Sequence, residues 1–346
     1  VRRAHQAFGL ALALAACSED APPAMTVGPV GFTESQLLGL TASRRESLAL
    51  VTALGLAVSD STTAALGEPV VEGWLQDRLL EILGAELTLE KYDVGSGTLM
   101  DAYRVDPLWE LTVEHLLVFS ERWRAQAHRE AAAAKAARAR DLLEAGVDFP
   151  EVETRLAEEP GGEARSGQLP PGREGAWVPE FWAAALTLEP GGLSPVTETQ
   201  YGFHVLRLEG RALVPFPEAR SVVARRVART LESPAAVLDA WMEQRGRDED
   251  ARRAAALAEA RARALEVPSS ERAELERRWE DMTTEWANAL GFGVGLSPGQ
   301  LTETALAALA RTGQNADLAR RDITAYADAF RARYDIDVGT DGTPLP

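Results

Sequence analysis

Two histidines sit inside strongly strand-like runs, and what lies between them constrains the fold. The first run is Val113-Glu114-His115-Leu116-Leu117-Val118-Phe119, and the second is Thr199-Gln200-Tyr201-Gly202-Phe203-His204-Val205-Leu206-Arg207-Leu208. Apolar and β-branched residues are dense in both, the composition that suits a pleated, half-buried surface, and a glycine-bearing turn precedes the second. The chain has four histidines, and His5 lies in a segment expected to be removed. Two of the other three are therefore committed to apolar strands. A single strand histidine is ordinarily a satisfied core residue; a pair bracketing one block of helices and turns asks for a further reading.

The block between them has a definite order. An alanine-rich helical run covers Trp123 to Ala145, and Gly146-Val147-Asp148-Phe149 turns into a second helical segment. A Gly/Pro loop from Pro160 to Gly175 follows, then a short helix around Val178–Trp182, then the turn Leu188–Val196. The pieces EHLLV (114–118), LLEAGVDF (142–149), WVPEF (177–181) and LEPGGLSPVTETQYGFHVLRL (188–208) stand in this order. Together they resemble the parvulin family of peptidyl-prolyl isomerases over about a hundred residues, most specifically in the last piece.

That resemblance implies an α+β unit, a small sheet wrapped by helices, with the histidines on adjacent central strands. It implies that His115 and His204 form a buried hydrogen-bonded catalytic pair, and that Leu169, Trp177 and Phe181 line the apolar pocket for the proline ring. Thr199 and Tyr201 match the positions flanking the pocket. Glu159 falls near the position where the family has Asp or Cys, with Glu158 one residue away. The implied chemistry needs no covalent step, metal or cofactor. Weakening the amide resonance of an X–Pro bond by removing water from its carbonyl, while the ring is gripped, is differential binding of the twisted state. The chain also departs from the family. Where the family usually reads Gly-Gly-Asp-Leu-Gly, this chain has Ser166-Gly167-Gln168-Leu169-Pro170-Pro171. Only Gly167 and Leu169 persist, so a reshaped pocket rim is expected.

Compartment is read from the N-terminus. Val1-Arg2-Arg3 is basic, and Phe8 to Ala16 is an apolar run too short to span a bilayer, which is the pattern of a signal peptide (1–16). Cys17 is the sole cysteine, and Leu14-Ala15-Ala16-Cys17 looks like a bacterial lipobox. The implied processing is cleavage before Cys17 and lipidation of its sulfur, stable when several acyl chains are attached. Ser18 follows the cysteine, which by analogy with Gram-negative sorting points to the periplasmic face of the outer membrane. Residues 17–30 read as a disordered tether. A formal net charge of −17 argues against nucleic acid as a partner. With 346 residues the chain is long enough for two or three domains.

Helical patterns flank the histidine-bearing segment (111–212) on both sides. In 31–110, Thr33 and Gln36 form a capping box, Leu48 to Val58 reads as a buried helix, and Val71, Trp74, Leu75, Leu79, Ile82 and Leu83 mark one helix face. In 213–338, Ser233-Pro234 is a helix start, Leu275 to Leu290 carries a bulky stripe with Trp279 and Trp286, and Ser297 to Gln300 is a second capping box. Asp317 to Tyr334 reads as one last helix, and 339–346 as a frayed tail. This arrangement resembles exported foldases of the SurA-like and PrsA-like kind. It implies a lipid-anchored prolyl isomerase acting on unfolded exported polypeptides. The alternative is a holdase chaperone whose parvulin-like segment binds peptides without isomerising them.

Overall fold

Short apolar alternation starts the chain in a hairpin. In the computed structural model, which describes residues 22–120, 124–158 and 167–338, β1 (Met25–Val27) and β2 (Val30–Phe32) pair antiparallel across Gly28-Pro29. Gly28 takes a φ of 52°, a left-handed value suited to glycine. Next come α1 (Glu34–Leu37), opened by the Thr33/Gln36 capping box, α2 (Ala42–Ser59), α3 (Thr63–Lys91) and α4 (Ser96–Val105). The histidine-bearing block consists of β3 (Trp109–Phe119), α5 (Gln126–Glu144), α6 (Phe149–Leu156), β4 (Gly167–Gln168), α7 (Pro179–Leu186), β5 (Thr197–Glu198) and β6 (Gly202–Leu213). Beyond it lie α8 (Phe216–Leu231), α9 (Pro234–Glu243), α10 (Glu249–Ala262), α11 (Ser269–Leu290), α12 (Pro298–Ala310), α13 (Gln314–Ala325), α14 (Ala327–Arg333) and β7 (Ile336–Asp337).

The structure corrects the sequence reading in three places. Residues 25–30 belong to a buried hairpin, not to a tether, and Met25, Val27, Val30 and Phe32 are fully buried. Their alternation puts one apolar face inward, but over two three-residue strands it is too short to stand out beside Gly and Pro. The flanking segments, otherwise helical, thus contain a small sheet in which β1 lies between β2 and β7. The expected last helix is divided at Tyr326, whose φ of −113° and ψ of 21° end α13 before α14 begins. The signal peptide (1–16), Cys17, Glu159 and the tail 339–346 lie outside the described residues.

The chain divides into two units, Val1–Leu66 with Thr283–Pro346, and Gly67–Met282. In the first, β7 closes the N-terminal sheet and α2 packs against α12, α13 and α14. The long apolar run of α2 is the reason it is buried on most sides, from Leu48 through Ala57. Residues 22–66 and 283–338, from the two ends of the chain, therefore build one unit together.

In the second unit a four-stranded antiparallel sheet has the order β4-β3-β6-β5. β3 and β6 pair along their whole length, with a register shift between Thr112 and Val113. Side chains alternate between two faces. Leu116, Val118, Phe203 and Val205 pack with α5 and α6, while Leu111, Val113, Leu206 and Leu208 pack with α7. α4 precedes this block and α8 follows it. They pack together through Leu99, Tyr103, Val223 and Ala224, and the Tyr103 hydroxyl donates to the Val214 carbonyl. A further core joins α3, α9 and α10 through Leu83, Leu238 and Leu257.

The turn into β6 depends on Gly202, whose φ is 145°. A Cβ there would lie 2.3 Å from the Val118 carbonyl oxygen and 2.6 Å from the Ser120 nitrogen. Both are backbone atoms of the neighbouring strand and have little freedom to move. Gly202→Ala is predicted to destabilise the unit by roughly 2 kcal/mol or more, read as a lowered urea midpoint; an unchanged midpoint would show that the strand pair yields to the methyl group.

Candidate functional site

The parity of β3 and β6 puts the two histidines on one face. His115 pairs in register with Leu206 and Leu117 with His204, so the imidazoles are diagonal neighbours on the side covered by α7. His115 is 5% and His204 4% exposed. Their Nδ1 atoms are 3.4 Å apart, and the rings are nearly parallel with centroids 5.6 Å apart. The Nε2 of His204 is 2.8 Å from the hydroxyl of Thr199, which is fully buried and accepts the Tyr201 backbone N–H at 3.1 Å.

Phe181, from α7, closes this pair from above. Its ring stands edge-on to both imidazoles, with centroids 5.5 Å from His115 and 5.4 Å from His204. It is buried, while Trp177 and Leu169 beside it are half-buried. The Trp177 ring lies 5.2 Å from Phe181 and 5.8 Å from Trp182, and Leu169 packs into the same cluster. The result is an apolar layer backed by a buried polar chain, which suits an uncharged ring and a carbonyl being stripped of water.

Burial dictates the charge of this chain. An imidazolium taken out of water is penalised, and a second imidazole alongside adds to the cost. Burial first and the His115 ring second push the His204 pKa down from 6.5 to about 3. His204 is therefore neutral at physiological pH.

The structure brings His115, His204, Thr199, Phe181, Trp177 and Leu169 into one cluster. Tyr201 joins it through its backbone, with its own ring half-buried. Glu158 is exposed; its carboxylate pairs with Lys135, and its backbone is tied to β3 by two hydrogen bonds of 2.9 Å, to Leu117 and Phe119. In the altered loop, Gly167 takes a φ of 98° and lies opposite His115 in the ladder. The Leu169 N–H donates to the Val113 carbonyl at 2.9 Å, and Gly172 exchanges two hydrogen bonds with Leu111. The loop thus stays fastened to β3 although Gln168 and two prolines replace the family's acid and glycine.

Sequence reasoning passed over two serines. Ser194 is fully buried and its hydroxyl accepts the Leu206 N–H at 3.0 Å, so the Gly-Leu-Ser-Pro turn is bonded directly to β6. Ser120, 1% exposed, has a buried hydroxyl without a hydrogen-bond partner among the described residues. A serine set between Leu and Pro in a tight turn was the available sign for the first; nothing in the sequence marks the second.

Residues 115–210 match the PPIC-type peptidyl-prolyl isomerase domain, the rotamase family. Foldase protein PrsA 4 of Bacillus cereus is 27% identical over 156 residues, which cover 44% of this chain and 50% of that protein. Chaperone SurA of Pseudomonas fluorescens is 37% identical over 103 residues, 30% of this chain and 24% of that one. The chain thus spans half or less of the length of these curated relatives. The crystal structure of the peptidylprolyl isomerase PrsA from Bacillus cereus aligns with a TM-score of 0.31 at 20% identity, covering 59% of this chain and 66% of that one.

The neutral His204 makes folding sensitive to pH. Its folded-state pKa of about 3 lies below the unfolded value of 6.5, so between these values the unfolded chain binds a proton that the folded chain refuses. Stability is fully present above about pH 6.5 and falls as the pH drops toward 3, by up to about 1.4 kcal/mol per pH unit from this group. Urea denaturation of the wild type and of His204→Gln across this range is predicted to show a slope shallower by about one proton in the variant. Equal slopes would place the imidazole in contact with water.

Proposed function

We propose that this chain, which carries a parvulin-type isomerase domain and is related to the PrsA and SurA foldases, catalyses cis–trans isomerisation of X–Pro bonds in unfolded exported polypeptides. The observation that carries this reading is the Phe181 ring standing edge-on over two buried imidazoles whose Nδ1 atoms face each other. The uncatalysed rotation has a barrier of about 18–20 kcal/mol, held up by amide resonance. An apolar layer formed by Leu169, Trp177 and Phe181 favours a proline ring and a dehydrated carbonyl. Removing water from that carbonyl disfavours its charge-separated resonance form, so the planar ground state loses more than the twisted one.

In this reading His115 and His204 are the catalytic pair. They shape the floor of the site without exchanging a proton with substrate. Thr199 holds the His204 ring, Tyr201 flanks the pocket, and Glu159 supplies polar tuning. The proposed organisation assigns 111–212 to isomerisation and the helical segments 31–110 and 213–338 to holding the client. The Leu14–Cys17 sequence supports lipidation at Cys17 and a place at the periplasmic face of the outer membrane. In this reading the acyl chains are the membrane contact.

The test is acceleration of cis–trans exchange in a short Ala-Glu-Pro-Phe peptide by the chain starting at Ser18. Wild type is predicted to accelerate exchange, and Phe181→Ala and Trp177→Ala to lower kcat/KM by about tenfold or more, or ~1.4 kcal/mol. Trp177 is half-buried and gives the variant expected to keep its fold. A folded wild type without acceleration, or activity indifferent to both substitutions, would reject the enzyme and favour the holdase.

A further inference from the structure

The loop between β4 and α7 carries two of the three apolar pocket residues, Leu169 at its start and Trp177 near its end. Between them, side chains of the loop reach away from the sheet. Gly172 is buried and keeps the loop on β3 through its two hydrogen bonds with Leu111. Beside it, Arg173 uses each of its three guanidinium nitrogens on a different element. Nε donates to Glu110 of β3 at 2.9 Å, Nη2 to Glu218 of α8 at 3.0 Å, and Nη1 to the Ser270 hydroxyl of α11 at 3.3 Å. Its side chain is 24% exposed, less than either carboxylate that it bonds.

The next two residues repeat the attachment. Glu174 pairs with Arg226 of α8, which also holds Asp106, at the end of α4, at 2.9 Å. Gly175 takes a φ of 95°, and a Cβ on it would lie 3.3 Å from Glu274 Oε1 of α11. The Ala176 N–H donates to the Arg173 carbonyl at 2.9 Å, which closes a turn between Arg173 and Trp177. The Trp177 ring lies on the backbone of Gly172, where an added Cβ would come within 2.6 Å of it, and its centroid is 5.2 Å from that of Phe181. A single exposed ion pair contributes little to stability. A planar guanidinium bonded through all three nitrogens is restricted in orientation as well as in place, and a site residue is only as well placed as the contacts that hold it.

We propose that Arg173 is a positioning residue for the proline pocket: by tying the loop to α8 and α11 as well as to β3, it sets where Trp177 stands beside Phe181. It acts through Trp177 and not on substrate. The helices that follow the sheet thereby shape the pocket by way of the loop. The effect on catalysis rests on the isomerase reading; the placement of Trp177 by Arg173 does not.

The test is a double-substitution cycle on isomerisation of the Ala-Glu-Pro-Phe peptide, with fluorine NMR of the same chain labelled with 5-fluorotryptophan. Arg173→Gln is predicted to lower kcat/KM by about fivefold with the fold retained. Glu218→Gln, at an exposed position of α8, removes one arm of the fork alone and is predicted to lower it by about twofold. In the Trp177→Ala background, Arg173→Gln is predicted to change kcat/KM by less than about twofold, because the residue it places is gone. The Trp177 resonance, assigned by its loss in Trp177→Phe, is predicted to shift or broaden in Arg173→Gln while those of Trp241 and Trp286 hold. Full activity of Arg173→Gln, an undiminished loss in the Trp177→Ala background, or an unmoved Trp177 resonance would overturn the proposal. A wild type without acceleration would reject the isomerase reading, and the Trp177 resonance would still decide whether Arg173 places that ring.

Discussion

A neutral imidazole buried in a sheet imposes a direction on its own hydrogen bonds. The His204 ring carries one proton, so its Nδ1 either donates to the facing His115 Nδ1 or accepts from it. The other nitrogen of His204 meets the Thr199 hydroxyl, which already accepts the Tyr201 N–H and has a single proton of its own to give. With that proton given to His204 Nε2, the Nδ1 proton of His204 points at His115. Reversing one member reverses the next. A chain ordered in this way keeps both rings fixed, and fixed rings offer Phe181 two faces to meet edge-on, contacts worth about 0.5–1.5 kcal/mol each beyond area burial. Without protonation the floor stays uncharged, which an apolar site needs.

The rest of the second unit serves that arrangement. β3 and β6 are paired along their full length, so the histidines share one rigid surface. The Gly192–Val196 turn is bonded to β6 through Ser194, and the altered loop is bonded to β3 through Leu169 and Gly172. Helices from before and after the sheet complete the unit: α4 packs on α8, and α3 on α9 and α10.

The strand pair and the shared face of its two histidines were legible because His115 and His204 lie on strands whose side chains alternate. His115, His204, Thr199, Phe181, Trp177 and Leu169 could be named before any coordinates, and the fold gathers them. Helix starts were equally legible where a side chain caps the backbone, as at Thr33, Ser233 and Ser297. The N-terminal hairpin was missed because its partner strand, β7, comes from the far end of the chain, and three-residue strands have too little periodicity to be seen alone. The break at Tyr326 has no glycine or proline to announce it.

The ordered, neutral chain from Thr199 through His204 to His115 is tested most directly by ¹⁵N NMR of the imidazole nitrogens at neutral pH. The account predicts a neutral His204 ring with one nitrogen protonated and the other bare, in one fixed tautomer, and the opposite character at the two facing Nδ1 atoms. Its spectrum should stay unchanged on acidification toward pH 5, well above the His204 pKa of about 3. An imidazolium signature at neutral pH, or nitrogen shifts averaged between tautomers, would contradict it and leave Phe181 packed on rings that are neither neutral nor fixed.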